Sequence, residues 1–244
     1  MGLQEYGPPA KTGFRFPFYR RREFMSLFLI YDAENAEYLL QPAGYVILAA
    51  VLIILLAVLP NIGRKKNRPL KTRQLVFCAA AMALAVVTSF MKIASLPFGG
   101  SITLFSMMFI CLIGYFYGPK TGIITGIAYG ILQLITGPYI YAPFQVILDY
   151  PAAFGALGLA GLFYKKKHGL VLGYITGCIG RYICHVISGY IFFKEYTPEG
   201  MNPIVYALGY NATYIVPEMI ATVIILMLPP VKNAIGHIKQ QAIE

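Results

Sequence analysis

Apolar stretches long enough to cross a lipid bilayer follow one another along most of this chain. They occupy approximately residues 43–60, 74–95, 102–117, 121–137, 143–163, 170–193 and 203–229. A helix of about 20 apolar residues spans the hydrocarbon core of a bilayer. Only 12% of the residues are charged, against about 25% in a typical soluble domain. The sequence therefore predicts an all-α integral membrane protein, and no soluble domain fits after residue 60.

The distribution of Lys and Arg orients these spans. Basic residues concentrate in RKKNRPLKTR at 64–73, in YKKKHG at 164–169 and in the tail from Lys232. Because basic loops stay in the cytoplasm, we expect those segments and the C-terminus to be cytoplasmic in a multi-pass protein of the cell membrane. The loops at 96–101, 136–142 and 194–200 then lie outside. The net charge of +10 follows this topology, so it does not indicate nucleic-acid binding.

The segments divide the chain into consecutive regions. These are a polar and aromatic segment at 1–42, an extra transmembrane helix at 43–60, a basic linker at 61–73, a six-helix membrane domain at 74–230 and a tail at 231–244. Residues 1–42 would lie outside although they contain the basic sequence FYRRREF. One hypothesis is that the natural chain starts at Met25, which removes those bases. The alternative is that the chain departs from the positive-inside rule here.

Small residues recur at helical spacing in two of the spans. Gly122, Gly126 and Gly130 form one stripe, and Gly155, Gly158 and Gly161 form a second. Small residues let membrane helices approach closely, so we expect both stripes to be packing surfaces. The cysteines lie in apolar segments without metal-ligand spacing, and the sequence predicts no metal site.

Ionisable residues within the spans are few. After residue 74 the acids inside spans are Asp149 and Glu218, and Arg181 and His185 lie inside a span four residues apart. A charge at membrane depth costs about 3 kcal/mol on insertion scales, so such a residue normally has a partner or a function. Arg181 and His185 share one helix face, and Gly189 continues it.

The predicted topology brings several of these side chains to one level of the membrane. Asp149, His185, Tyr206 and Asn211 all fall in the outer half of the bundle, which indicates an outward-facing, aromatic-lined pocket. A single carboxylate in a low-dielectric pocket favours a cation, and tyrosine rings and Phe193 offer faces to a cation or a flat ring. We therefore expect a compact, positively charged aromatic ligand.

Structural interpretations of the same residues remain open. Asp149 could cap a helix that has Pro151 in its first turn, or pair with Arg181. His185 could be a packing residue, and Asn211 could hydrogen-bond a neighbouring helix. Glu218 could satisfy backbone groups freed by the preceding proline, or face a partner protein.

No arrangement typical of an enzyme occurs in the sequence. GYFYGPKT from Gly114 approaches a phosphate-binding loop, but Pro119 replaces the required glycine and membrane helices flank the segment. We therefore expect a chain that is not an enzyme and has no ATP site or cofactor of its own.

Four stretches resemble those of a known family, the thiamine-specific substrate-binding subunit of energy-coupling factor transporters. They are GGSITLFSM (99–107), LQLITGPYIYAPFQVILDYPAAFGALGLAGLF (132–163), RYICHVISGYIFF (181–193) and VYALGYN (205–211). The resemblance extends over about 74–230. It implies a six-helix bundle that captures thiamine from outside and docks onto a transmembrane coupling protein with two ATPase subunits.

The resemblance also implies which residues meet the ligand and the partner. The positions that match the family's ligand contacts are Asp149, Tyr150, Arg181, His185, Tyr206, Asn211 and Tyr139. Phe193 stands where better-known members have a stacking tryptophan, and this chain contains no tryptophan. The acid is glutamate in familiar members, so Asp149 is shorter by one methylene. Ala79 and Ala83 match a small-residue pair that meets the coupling protein.

The sequence thus predicts the thiamine-capturing subunit of an ATP-driven importer. Two alternatives remain. The same architecture could serve another ligand, such as a hydroxymethylpyrimidine precursor. A carrier that works alone could use Asp149, Arg181 and Glu218 as an ion relay.

Overall fold

Helices follow one another along the part of the chain that the computed structural model describes, residues 28–32, 37–58, 72–96, 99–166 and 168–244. The helices are α1 (Pro42–Val58), α2 (Thr72–Phe90), α3 (Ser106–Tyr117), α4 (Pro119–Thr136), α5 (143–163), α6 (Gly169–Phe192), α7 (Pro203–Met227) and α8 (Pro229–Ile243). Two antiparallel hairpins accompany them: β1 (Leu29–Asp32) with β2 (Glu37–Leu40), and β3 (Lys92–Ser95) with β4 (Ser101–Thr103).

The predicted all-α membrane fold is confirmed. Among the described residues, four helices are long and apolar enough to cross a membrane: Thr72–Phe90, Phe144–Phe163, Gly169–Phe192 and Pro203–Met227. The shorter helix α3 is also apolar. The core lies between α3, α4, α5 and α6, where Ile110, Tyr129, Leu157 and Cys178 are fully buried.

Two predicted spans have a strand in place of helix at the ends that face each other in the chain. The span predicted at 74–95 is helical only to Phe90, and the span predicted at 102–117 begins its helix at Ser106. Between them lies the β3–β4 hairpin, closed by a bond from the Leu96 N–H to the Gly100 carbonyl. Glycine at position 99 takes a positive φ of 86°, which a side chain would oppose. This local turn chemistry ends the helix despite the apolar composition.

The two glycine stripes pack against each other, as predicted. A Cβ added at Gly126 would lie 2.2 Å from the Phe154 carbonyl oxygen, and one at Gly158 would lie 2.0 Å from the Ile123 nitrogen. The backbones of α4 and α5 are therefore in contact, and no side chain larger than hydrogen fits between them at these positions.

The region predicted as a tail is largely the helix α8. Near its end, the carbonyls of Gln241 and Ala242 accept hydrogen bonds from Arg73 and from Tyr117. A cation is favourable at a helix C-terminus. Lys239 donates to the Tyr164 carbonyl, and burial lowers its pKa. These contacts bring Arg73, Tyr164 and the tail helix α8 to the same end of the bundle.

The N-terminal elements contact the bundle at α4 and at the loop that follows it. Helix α1 packs against α4, and the Tyr38 N–H donates to the Ile140 carbonyl oxygen at 2.6 Å. The hypothesis of a start at Met25 concerns residues outside those described, as does most of the basic linker.

Candidate functional site

A cavity of about 170 Å³ lies inside the bundle. Its walls come from the β3–β4 hairpin, α3 to α7 and the loop at 137–142. All the residues predicted to meet a ligand line it: Tyr139, Asp149, Tyr150, Arg181, His185, Gly189, Phe193, Tyr206 and Asn211. The structure therefore brings together residues that are up to 72 positions apart in the chain, from Tyr139 to Asn211. Ala79 and Ala83 lie apart from it, exposed on α2.

Asp149 is placed by an irregular turn within α5. This helix consists of α-helical Pro143–Ile147, a π-helical turn at Leu148–Ala152, α-helical Ala153–Leu157 and a 3-10 segment at Gly158–Phe163. Pro151 lies inside the π turn. Because proline lacks an N–H and its ring crowds the preceding turn, the helix widens there, and the Ala153 N–H bonds to the Leu148 carbonyl. π turns often occur at functional sites.

The Asp149 carboxylate has partners on two helices. Its Oδ1 lies 3.0 Å from Nδ1 of His185 on α6. Its Oδ2 accepts a hydrogen bond of 2.6 Å from Nε2 of Gln145. The sequence had left open a helix cap or a pair with Arg181. The described structure shows neither: Asp149 lies within the helical segment, and its Oδ1 contacts His185.

Arg181 lies one helical turn from His185, deeper along α6. Its guanidinium carbon stands 4.1 Å from the centre of the Phe154 ring, a cation–π distance. Its Nε has no hydrogen-bond partner within the described residues. The contact with Phe154 stabilises the Arg181 cation within the bundle. Arg181 therefore does not need to pair with the Asp149 carboxylate.

The loop at 137–142 holds aromatic residues at the edge of the cavity. The Tyr139 N–H donates to the Tyr150 hydroxyl at 2.7 Å. The Phe193 ring is near-parallel to that of Tyr139, with centroids 6.2 Å apart, and it contacts Tyr141 at 5.0 Å. Burial raises the pKa of Tyr141, so its phenol stays neutral. Phe193 is thus part of an aromatic cluster.

Tyr206 and Asn211 reach the cavity from α7. The Asn211 amide donates to the carbonyls of Ala207 and His185, and its oxygen accepts a 2.6 Å bond from Tyr214. This is the hydrogen bond between neighbouring helices that the sequence had left as an alternative. Gly189 permits the approach, because an added Cβ would lie 3.3 Å from the Asn211 amide nitrogen.

Gln145 and Tyr210 are among the lining residues that the sequence analysis missed. Gln145 is 2% exposed, and besides Asp149 it binds the Tyr139 carbonyl and the Tyr141 N–H. Its spacing of four from Asp149 was an available signal. Tyr210, whose hydroxyl accepts from the Gly100 N–H at 3.3 Å, ties the β3–β4 hairpin to α7. That contact joins distant segments, and the local pattern does not reveal it.

Glu218 also lines the cavity, but its visible bonds are structural. Its Oε2 accepts from both the N–H and the hydroxyl of Thr103, each at 2.9 Å. It therefore anchors strand β4 to α7. No group of three or more His, Cys, Asp or Glu side chains that could hold a metal occurs among the residues that the structure describes.

Comparison with known proteins identifies relatives over the membrane domain. Residues 75–237 match the family model described as thiamine transporter protein (Thia_YuaJ). The thiamine transporter ThiT of Bacillus subtilis (strain 168) is 36% identical over 167 residues, which cover 63% of this chain and 85% of that protein. The ThiT of Lacticaseibacillus paracasei is 33% identical over 118 residues, covering 41% of this chain and 59% of that protein.

A solved structure shares the fold. ThiT from Listeria monocytogenes superposes with a TM-score of 0.53 at 24% identity, over 64% of this chain and 94% of that one. Because the family model covers more than half of the chain, and the Bacillus relative is matched over most of its length, the chain belongs to the thiamine transporter protein family.

Proposed function

We propose that this chain captures thiamine in the cavity from the outer side of the membrane and delivers it through a separate coupling protein and two ATPase subunits. One observation carries the proposal. In a member of the thiamine transporter protein family, a carboxylate held by His185 and Gln145 faces an aromatic-lined cavity. Thiamine is a compact cation with two flat rings, which matches that combination of charge and aromatic surface.

Each part of the cavity has a role in this proposal. Asp149 neutralises the thiazolium or holds the aminopyrimidine by charge-assisted hydrogen bonds. Tyr150, Tyr206 and Phe193 supply surfaces for stacking. Nε2 of His185 has no partner among the described residues, so it is available to orient a ring edge.

Asn211 has a different role from the one first expected. Its amide hydrogens and its oxygen are already bonded within the protein. It therefore supports the ligand site by fixing His185 and Tyr214. Arg181, packed on Phe154, forms the deeper wall of the cavity and disfavours a second cation there.

The test is calorimetric titration of purified, ligand-stripped protein with thiamine in detergent. One-to-one binding supports capture, and absence of binding by folded protein contradicts it. Competition with the separate pyrimidine and thiazole halves distinguishes thiamine from the alternative hydroxymethylpyrimidine. If the pyrimidine half competes as well as whole thiamine does, the smaller ligand is the better assignment.

Delivery through partner subunits is supported by an available surface on α2. Ala79 and Ala83 are exposed at a spacing of four, and small residues permit close contact with another membrane helix. Replacing both by leucine is expected to abolish uptake by vesicles containing the partner subunits while thiamine binding persists. Uptake by vesicles that hold this chain alone would favour the stand-alone carrier instead.

A further inference from the structure

The N-terminal elements touch the loop that carries a wall of the ligand cavity. The family match begins at residue 75, so hairpin β1–β2 and helix α1 lie before it. Tyr38, in β2, donates its backbone N–H to the carbonyl oxygen of Ile140 at 2.6 Å. Ile140 is 3% exposed and lies between Tyr139 and Tyr141. An element outside the matched region thus bonds to the centre of the loop at 137–142.

The register of the hairpin directs the Tyr38 N–H away from the β1–β2 ladder. Gln41 donates to the Phe28 carbonyl, so those two residues form a hydrogen-bonded pair. In an antiparallel ladder such pairs alternate with non-bonded pairs. Tyr38, opposite Tyr31, falls in a non-bonded pair, and its N–H therefore lies on the outer edge of β2. Through the bond from Tyr38 to Ile140, the outer edge of β2 contacts the backbone of the loop at 137–142.

The loop that receives the bond is connected directly to Asp149. Gln145 accepts from the Tyr141 N–H and donates to the Tyr139 carbonyl, while the same side chain holds the Asp149 carboxylate. The Ile140 carbonyl lies between these bonded groups in the chain, and it accepts from the Tyr38 N–H. A shift of the loop would therefore disturb both the aromatic wall and the partner of Asp149.

A second contact limits how far the loop can move with its helix. Helix α1 packs against α4, which ends at Thr136 immediately before the loop. The N-terminal elements therefore hold the helix and the loop that follows it as one unit.

We propose that hairpin β1–β2 is a positioning element of the ligand site, which restrains the loop at 137–142 through the Tyr38–Ile140 bond and thereby slows ligand release. This inference rests on the proposed function, because the ligand it concerns is thiamine. It assigns a role to a part of the chain outside the family match.

The test compares two substitutions of the same residue. Tyr38→Pro removes the N–H, and proline is tolerated where the N–H faces away from the strand ladder. Tyr38→Ala removes the same side chain and keeps the N–H. We expect thiamine to dissociate about fivefold faster from Y38P than from Y38A, as expected for one lost hydrogen bond. The melting temperatures of the two unliganded variants should differ by only a few degrees, as expected for one lost hydrogen bond in a chain of this size.

Hydrogen exchange tests the same bond without a substitution and without reliance on a folded variant. In the natural chain, thiamine should slow exchange of the Tyr38 amide. The amide of Leu40, which alternation also directs outward but which has no backbone acceptor outside the hairpin among the described residues, serves as the internal reference. Equal dissociation rates from Y38P and Y38A, or a Tyr38 amide that responds to thiamine no more than Leu40, would overturn the inference.

The proposed function fails in a different way. If the natural chain does not bind thiamine, capture itself is wrong, and so is the slowing of thiamine release. In that case exchange of the Tyr141 amide in Y38P and Y38A still shows whether the bond restrains the loop. Faster exchange in Y38P keeps the positioning role for whichever ligand the cavity takes, and equal exchange removes that role too.

Discussion

The carboxylate of Asp149 and the imidazole of His185 are in contact, with Oδ1 and Nδ1 3.0 Å apart. They come from α5 and α6 and are 36 positions apart in the chain. When Nδ1 donates to the carboxylate, Nε2 of a neutral imidazole is left as an acceptor. The pair thus offers the cavity a negative charge and an acceptor at fixed positions.

Removing the charge of Asp149 should weaken thiamine binding strongly. We expect Asp149→Asn to reduce the binding free energy by roughly 2–5 kcal/mol, the range for truncating one member of a buried charge pair. Glu199→Gln, at an exposed acid in the loop before α7, is the matched control and should bind like the natural chain. Calorimetry on both variants measures the difference. Equal affinity would assign Asp149 a purely structural role.

Gln145 should matter for binding although it is expected to touch the ligand little. Gln145→Met keeps the side-chain length but removes bonds to Asp149, Tyr139 and Tyr141. Because a hydrogen bond to a charged group contributes about 1.5–3 kcal/mol, we expect a loss of that size in thiamine affinity. Gln240→Met changes an exposed glutamine of α8 and should leave affinity unchanged. An unaltered dissociation constant in Q145M would show that the site tolerates a free Asp149.

Asn211 should affect stability as well as binding. It is 4% exposed, and Asn211→Ala leaves the Tyr214 hydroxyl without its acceptor and removes the side-chain donor to the His185 carbonyl. Unsatisfied buried groups cost about 1–3 kcal/mol, so the unliganded variant should unfold more easily in mixed micelles. Thr213→Val, which changes an exposed hydroxyl on the same helix, is the control. If N211A loses thiamine affinity and keeps its stability, Asn211 contacts ligand directly.

Much of the architecture could be predicted from composition and spacing. Membrane helices must be long and apolar, so the spans were visible, and the glycine stripes correctly indicated where α4 and α5 touch. The β3–β4 hairpin was not predicted, because Ile93 and Ala94 continue the apolar run of the helix before them. Its turn depends on the backbone conformation of glycine and on one backbone bond between Leu96 and Gly100. Neither can be predicted from hydropathy.

Part of the lining of the candidate cavity could be predicted from the sequence, but its hydrogen bonds could not. Residue types and the family resemblance identified Asp149 and His185 as members of one cavity. Asp149 lies in the π turn that contains Pro151, and regular helical periodicity does not predict a π turn. The partners of Asn211 likewise depend on the depth at which α6 and α7 cross. Which side chains form pairs across two helices depends on how the helices pack. A single sequence gives little information about that packing.

A substitution at Gly158 should disturb the fold more than one at an unpacked helical glycine. Gly158→Ala would place a methyl group 2.0 Å from the Ile123 nitrogen, so α4 and α5 must separate. Overpacking of this kind costs about 1–3 kcal/mol, and we expect lower resistance to denaturation in detergent. Gly209→Ala on α7 meets no atom within 4 Å and should be neutral or slightly stabilising, since alanine favours helix. Equal stability of both variants would contradict the close packing.

Two substitutions of Glu218 distinguish between two roles for this residue, an anchor of the β3–β4 hairpin and a member of a proton relay. Its carboxylate holds Thr103 through two bonds, and Glu218→Gln retains an acceptor oxygen while removing the titratable group. If Glu218 anchors the β3–β4 hairpin, E218Q should support thiamine uptake with the partner subunits at a near-natural rate. Glu218→Leu should instead expose the Thr103 amide to faster hydrogen exchange and destabilise the protein by about 1–3 kcal/mol, because that amide loses its acceptor. A stand-alone ion-coupled carrier requires the reverse order, with uptake abolished in E218Q although the hairpin stays protected. Measuring uptake and Thr103 exchange in both variants therefore decides between the two roles.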